Sequence, residues 1–337
     1  VSARPGFFTY NACGLWLASD APIPGLHRVG GDVPADVTIS TRTASPLQTW
    51  KAGSPWYVSP GLDPSGKPEV LIEKNEEGYR VTYCDDTTFV IDRNGHHISM
   101  QWSPALAGAD AASYLTSYVL AFALRLRGSV PLHASAVAID GRARLFVGDS
   151  WAGKSSTAAA FSILGYPVLS DDIVRVDVVE GGLAACPSHP RLNVWHDSAT
   201  ALYSPDGLPL HSDTFGKYFL DLDHAGYAFQ ATPVPIAAVY LLGGRSAAGE
   251  SPATRALPPR DALVALVGHT YGSAFLDRSM RAGEFDVLCR LVDEVPVREL
   301  TFSDDLGGLV SSCRDIADDR PDPRGNGGPK GPARHAR

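Results

Sequence analysis

The residues Gly148-Asp149-Ser150-Trp151-Ala152-Gly153-Lys154-Ser155 fit G-x-x-x-x-G-K-[ST], the spacing of a phosphate-binding loop. Such a loop works mainly through its backbone. Consecutive N–H groups turn inward and form an anion nest. The helix that follows adds unsatisfied N–H groups and a partial positive charge. In that chemistry Lys154 reaches the β- and γ-phosphates and the Ser155 hydroxyl ligates Mg²⁺. Ser156 completes the run in contact with nucleotide.

Tyr166-Pro167-Val168-Leu169-Ser170-Asp171-Asp172 reads as a strand ending in two carboxylates. An acid at the end of a buried strand beyond the loop is the position that holds Mg²⁺ in such sites. The plainer reading is a polar turn, which Ser-Asp-Asp also suits. Two adjacent acids allow a division of labour. One can serve the metal while the other orients or deprotonates an attacking hydroxyl. Arg191 and Lys217 are candidate phosphate or substrate contacts, although a solvated surface is the commoner fate of a single Lys or Arg. His133 stands alone at the start of a β-prone run, where a satisfied structural role is the usual one. His96 and His97 are neighbours, and neighbours on a strand point to opposite faces, so they make a poor ligand pair.

These groups need elements to position them. Leu145-Phe146-Val147 reads as a buried strand before the loop, and Lys154 to Leu164 as a helix stopping at Gly165. Before them, two β-prone runs flank Asp140-Gly141, a hairpin signal. An antiparallel hairpin feeding a phosphate loop implies a mixed sheet. Ile173 to Val178 is expected as a strand, and Ile236 to Leu242 as another, ending at Gly243-Gly244. Pro258-Pro259-Arg260-Asp261 is expected to open a helix that runs through Val267. A second runs from Glu284 to Val292 with Phe285, Leu288 and Leu291 inward, and Val295 to Leu300 is the last strand. Ala109 to Arg127 reads as a helix with Leu115, Val119, Phe122 and Leu126 on one face, and Arg125 and Arg127 in its last turn as the dipole favours. Residues 1–104 are rich in short β-prone runs broken by Gly, Pro, Asp and Asn. Their tryptophans (16, 50, 56 and 102) read as packing residues. The resulting division is a β-rich region over 1–104, a nucleotide domain over 105–313 and a disordered tail over 314–337, basic from Arg324.

With 337 residues the chain makes one large domain or two modest ones. A net charge of −8 gives no overall nucleic-acid footprint. No run is apolar and long enough to span a membrane, and no basic-then-apolar leader opens the sequence. The five cysteines are scattered, with no Cys-x-x-Cys pair, which suits reduced thiols in a cytoplasm.

Leu132-His133-Ala134-Ser135-Ala136-Val137, the Asp140-Gly141 turn, the loop through Ser156, and Leu169-Ser170-Asp171-Asp172-Ile173-Val174 follow one another in an order and spacing that resembles the HPr kinase/phosphorylase family. That core is similar to the nucleotide domain of ATP-dependent phosphoenolpyruvate carboxykinases. The wider chain looks closer to the HPr-kinase-like proteins of peptide gene clusters, through Tyr10 to Leu26, Pro187 to Trp195 and Ala262 to Leu276. Some of those phosphorylate a serine near the C-terminus of a lasso-peptide precursor. The specific part of the resemblance covers about residues 130–178. It implies an α/β, mixed-sheet phosphate-loop kinase using ATP and Mg²⁺ on a serine of a peptide or small protein. It implies that Asp171 is the base or the orienting acid for the acceptor hydroxyl, that Asp172 is a metal-linked acid, and that His133 stands near the γ-phosphate. Neither nucleic acid nor membrane is implied as a partner, and a homo-oligomer is compatible with it. The competing readings are a kinase of the same fold for an HPr-like protein or a small molecule, and a nucleotide-binding regulator without turnover. Two features depart from the family. The downstream Arg-Gly-Leu-Gly-type signature is missing, which argues against phosphorylase activity and against HPr as substrate. Trp151 stands where these loops usually carry Gly, and is expected to need a negative φ with its side chain turned away from the phosphates.

Overall fold

Short β-branched and aromatic runs separated by turn residues make strands. Eight of them build the first sheet of the computed structural model, which describes residues 7–31, 33–41, 45–103, 108–203, 210–212, 217–247 and 249–318. They are β1 (Phe8–Ala12), β2 (Leu15–Ser19), β3 (Val37–Ser40), β4 (Ser54–Val58), β5 (Val70–Lys74), β6 (Gly78–Tyr83), β7 (Thr88–Asp92) and β8 (His97–Gln101), in the order β1-β2-β3-β8-β7-β6-β5-β4. A short helix, α1 (Ser45–Thr49), lies between β3 and β4. Then α2 (Gly108–Tyr114), a π-helical turn (Leu115–Val119) and α3 (Leu120–Leu126) succeed one another without a break. Leu115, Val119 and Phe122 bury the expected face, and they share a core with Leu17, Ile39, Phe89 and Ile91 of the first sheet. Arg125 does not end the helix at the surface. It is buried, ion-paired with Glu284, and its Nε donates to the Tyr271 carbonyl at 3.0 Å.

The second half of the chain opens with a hairpin, β9 (Val130–Ile139) and β10 (Arg142–Val147). Asp140 and Gly141 take φ of 51° and 71°, the paired positive values that a tight two-residue turn demands. There follow α4 (Lys154–Ile163), β11 (Val168–Ser170), β12 (Ile173–Val179), β13 (Gly182–Cys186), β14 (Arg191–Trp195), α5 (His196–Leu202), β15 (Leu210–Ser212), β16 (Lys217–Asp221) and α6 (Leu222–Ala225). The described chain finishes with β17 (Val234–Ser246), β18 (Ala253–Ala256), α7 (Pro259–Gly268), α8 (Arg278–Glu294), β19 (Val297–Ser303) and α9 (Leu309–Asp318).

The second sheet is mixed, as the hairpin before the loop implied. Its order is β10-β9-β12-β13-β17-β19-β18, with β11 beside β9. β17 also pairs with β10 in parallel, so the path from β10 through β9, β12, β13 and β17 closes on itself. Strands covered on both faces read as continuous apolar runs, and β10 is buried from Ala143 to Val147. One apolar cluster packs Leu145 and Val239 against Leu266 of α7 and Leu288 and Leu291 of α8. Another packs Phe146 and Tyr240 against α4 and against Cys313 and Ile316 of α9. A small sheet, β14-β16-β15, completes the architecture.

Four expectations change. Gly243-Gly244 does not end the strand: β17 continues to Ser246 through a register shift between Leu242 and Arg245, a bulge that glycine tolerates. On α8, Phe285 is 52% exposed, because the buried position is taken by Glu284 at 5%, facing Arg125. The α8 helix also begins earlier, at Arg278, where the Asp277 side chain caps Met280 N–H at 2.9 Å. Arg314 to Asp318, expected to be the start of a disordered tail, instead lie in α9, which buries Ile316 and Ala317. Residues 319–337, including the basic stretch from Arg324, lie outside the described residues. No described helix is long and apolar enough to cross a membrane.

Candidate active site

β10 delivers the chain to the loop and α4 leads it away, so 148–155 sits between a buried strand and a helix N-terminus. Gly153 caps α4 with φ 96° and no side-chain acceptor, which leaves the first N–H groups of the helix free for an anion. A side chain at Gly153 would be strained by that φ and would press on Arg245. The Lys154 ammonium donates to the carbonyls of Gly148 and Asp149, both at 2.9 Å. These bonds curl the loop around its own lysine. Burial pulls the Lys154 pKa down, and the nearby Asp171 and Asp172 charges oppose that.

Asp171 is buried, and its oxygens are claimed. Oδ1 accepts from the Ser155 hydroxyl at 2.8 Å and from the Ser135 hydroxyl at 2.8 Å, and Oδ2 accepts from the Asn193 N–H at 2.9 Å. Burial raises its pKa, while the three donors hold it down. Asp172 faces elsewhere. Its φ of 78° marks a break between β11 and β12, which both run antiparallel to β9, and one-third of its side chain is exposed (33%). Tyr271 Oη donates to Asp172 Oδ1 at 2.5 Å, and His133 Nε2 lies 3.5 Å from the same oxygen. Burial pushes the His133 imidazole down to about 4, against an upward pull from Asp172. Its ring is therefore neutral near pH 7. Burial also drives the Tyr271 phenol well above its usual range, so it remains a donor.

Besides Lys154 of α4, three further elements bring cations to the site. Arg191, at the start of β14, is 5% exposed; burial lowers its pKa to about 10, with Asp171 and Asp172 acting against that. Lys217, at the start of β16, sits over the Trp195 ring at 4.6 Å, and its charge is felt at both His133 and Lys154. Arg245, brought in by the continued β17, donates to the Ala152 carbonyl of the loop at 2.9 Å.

Trp151 adopts φ 70°, not the negative value expected of a bulky residue there. The strained backbone is accompanied by a stack. Its ring lies 3.8 Å from that of Trp195, tilted by 17°, and the side chain is 71% exposed. The side chain stacks on Trp195 at the end of β14.

The structure thus gathers Lys154, Ser155, Asp171, Asp172, His133, Arg191 and Lys217 at one end of the second sheet. Asp149 and Ser150 are exposed on the loop, while Ser156 is turned inward, its hydroxyl 2.7 Å from that of Ser198. The acid beside Ser155 is Asp171, whereas the family pattern implied Asp172 as metal-linked. Sequence reading missed Ser135, Asn193, Trp195, Arg245 and Tyr271 as parts of the site. Ser135 had a signal, being two residues along the strand from His133 and so on the same face. Tyr271 had none, since only folding places it beside residue 172.

No protein-family model matches the chain, and no curated protein matches it. Among solved structures the chain is similar to the Hpr(Ser) kinase/phosphatase from Coxiella burnetii, with 15% identity, a TM-score of 0.29, and coverage of 55% of this chain and 95% of that one. A superposition that loose adds nothing to the chemistry of the site.

Proposed function

We propose that the chain is a kinase that transfers the γ-phosphoryl group of ATP to a serine hydroxyl of a peptide or small protein. The observation that carries the reading is the 2.8 Å contact between Ser155 and Asp171 at the mouth of a lysine-bearing loop, with a second, accessible acid next in sequence. Ser155 and Asp171 form a hard-oxygen pair of the kind Mg²⁺ prefers. Bound there, the ion would neutralise charge on the β- and γ-phosphate oxygens.

The contacts favour exchanging the two acids' roles. Asp171 has three of its roughly four lone-pair sites taken by Ser155, Ser135 and Asn193, and the remaining one on Oδ2 is left for the ion rather than for an acceptor hydroxyl. Asp172 is open to an incoming hydroxyl and is the better candidate for the base. In this scheme the acceptor serine O–H points at Asp172, its oxygen bonds to the γ-phosphorus, the bond to the ADP oxygen breaks, and the proton passes to Asp172. Tyr271 fixes that carboxylate by donating to it. Neutral His133 sits beside it without competing as a cation. Lys154, Arg245 and Lys217 supply positive charge toward the transferred group. Phosphoryl transfer needs mainly positioning and charge neutralisation, and this set provides both.

The finer reading, a tailoring kinase for a lasso-peptide precursor, rests on the sequence resemblance of Tyr10 to Leu26, Pro187 to Trp195 and Ala262 to Leu276. The test is Lys154→Ala, followed by ADP release in the presence of Mg²⁺ and the precursor peptide encoded beside the gene. A folded variant without turnover supports the assignment. Wild-type turnover by a folded variant contradicts it.

A further inference from the structure

Away from the loop, His27, Asp221 and His224 bring one ligand atom each within 4.8 Å of one another. Asp221 Oδ2 lies 2.7 Å from His27 Nε2 and 2.8 Å from His224 Nδ1. Two imidazoles and a carboxylate are a Zn²⁺ donor set that leaves a fourth place for water. A tetrahedral ion with bonds of about 2.0–2.1 Å holds its donors roughly 3.3 Å apart. The two carboxylate–imidazole distances need to spread by roughly half an ångström, and the two imidazole nitrogens, already within 4.8 Å of each other, take the same spacing.

Two features outside the triad point the same way. The other ring nitrogen of His27, Nδ1, lies 3.0 Å from Asp223 Oδ2. A metal-bound histidine characteristically donates its remaining N–H to a carboxylate, which fixes its tautomer and orientation. Both nitrogens of His27 thus face carboxylate oxygens, and a metal ion at Nε2 satisfies that arrangement. Asp221 is also held from its other side, since Oδ1 accepts the His224 N–H at 3.1 Å, so Oδ2 keeps a fixed direction.

We propose that His27, Asp221 and His224 form a zinc site, oriented by Asp223, that pins the N-terminal region to the end of β16. The placement gives it consequence. His27 follows the Pro22-Ile23-Pro24-Gly25-Leu26 loop, and Gly25 lies against Arg191, where a Cβ would come within 2.0 Å of Nη1. Arg191 is itself paired in register with Asp221. A metal at this point would hold the Gly25 turn over Arg191 and so tie the loop to the candidate active site's edge.

The experiment is a Zn²⁺ titration of the tag-free full chain, metal-stripped, by calorimetry, with thermal unfolding in parallel. One equivalent should bind, with a rise in Tm, because an ion bound to the folded chain alone stabilises it. His27→Ala and His224→Ala should lose that equivalent. His224 is 84% exposed on its side chain, so its variant folds whatever the role of His27. Asp223→Asn should still bind but about 10- to 100-fold more weakly, the usual effect of losing an outer carboxylate. The proposal fails if wild type binds no equivalent, if both histidine variants bind as wild type does, or if Asp223→Asn is unchanged.

Discussion

The Ser155 hydroxyl donates to Asp171 Oδ1 at 2.8 Å, while Asp172, the next residue, turns to Tyr271 and His133. The positive φ of Asp172 separates the two carboxylates, so adjacent acids serve opposite sides of the site. The first prediction follows from that split.

Asp171→Asn should weaken the oxygen shell around Ser155. The Mg²⁺ requirement should move upward, and excess Mg²⁺ should partly restore the rate. Asp172→Asn should lose about 10²–10⁴ in turnover, the scale of a general base, with no recovery at high Mg²⁺. A Mg²⁺ titration of the rate of both variants decides. The reverse pattern would restore the roles implied by the family resemblance.

His133 supplies a test by pH. Its folded pKa lies near 4, against an ordinary 6.5, because of burial. Between those values the unfolded chain binds more protons than the folded one, so this residue's contribution to stability falls as pH falls through the window. In His133→Gln the slope of stability against pH should be shallower there, by at most about 1.4 kcal/mol per pH unit. Partial exposure makes the difference smaller. Asp171, raised by burial, acts with the opposite sign but is common to both chains. Urea midpoints across pH 4 to 6.5 measure it, and parallel curves would show that His133 is not buried neutral.

Trp151→Gly sets two effects against each other. Glycine relieves a φ of 70°, worth roughly 1–2 kcal/mol for a non-glycine residue. It also removes the stack on Trp195, worth about 0.5–1.5 kcal/mol. The net change in stability should therefore lie between a loss of about 0.5 and a gain of about 1.5 kcal/mol, and the tryptophan fluorescence should change as Trp195 loses its stacking partner. A large destabilisation, measured by urea unfolding, would mean that Trp151 does more than cover Trp195.

What could be read from residues alone was whatever is local. The Asp140-Gly141 turn, the loop from Gly148 to Ser155 and the helix stopping at Gly165 are set by backbone preference and short spacing, and each lies where it was expected. Long-range pairing was not legible. Trp195 meets Trp151 only because β14 runs beside the loop, and Tyr271 meets Asp172 across 99 positions. Helical periodicity placed Phe285 inward because it counts apolarity. It cannot know that a buried Arg125 will call for a carboxylate one position earlier.

That buried pair gives the next prediction. Arg125 and Glu284 are 2% and 5% exposed at their side chains. Removing one partner leaves a buried charge, so Arg125→Met should cost about 3–5 kcal/mol. Arg125→Met with Glu284→Leu should recover most of the loss, apart from the hydrogen bond from Arg125 to the Tyr271 carbonyl. Urea unfolding of wild type, Arg125→Met, Glu284→Leu and the double variant closes the cycle. Equal destabilisation of the single and double variants would contradict an uncompensated charge as the cause.

The most direct measurement is mass spectrometry of the precursor peptide encoded beside the gene, after incubation with this protein, ATP and Mg²⁺. The account predicts the gain of one phosphoryl group on a serine with wild type, and no gain with Asp172→Asn. An unmodified peptide with folded, ATP-binding wild-type protein, or equal phosphorylation by Asp172→Asn, would contradict it.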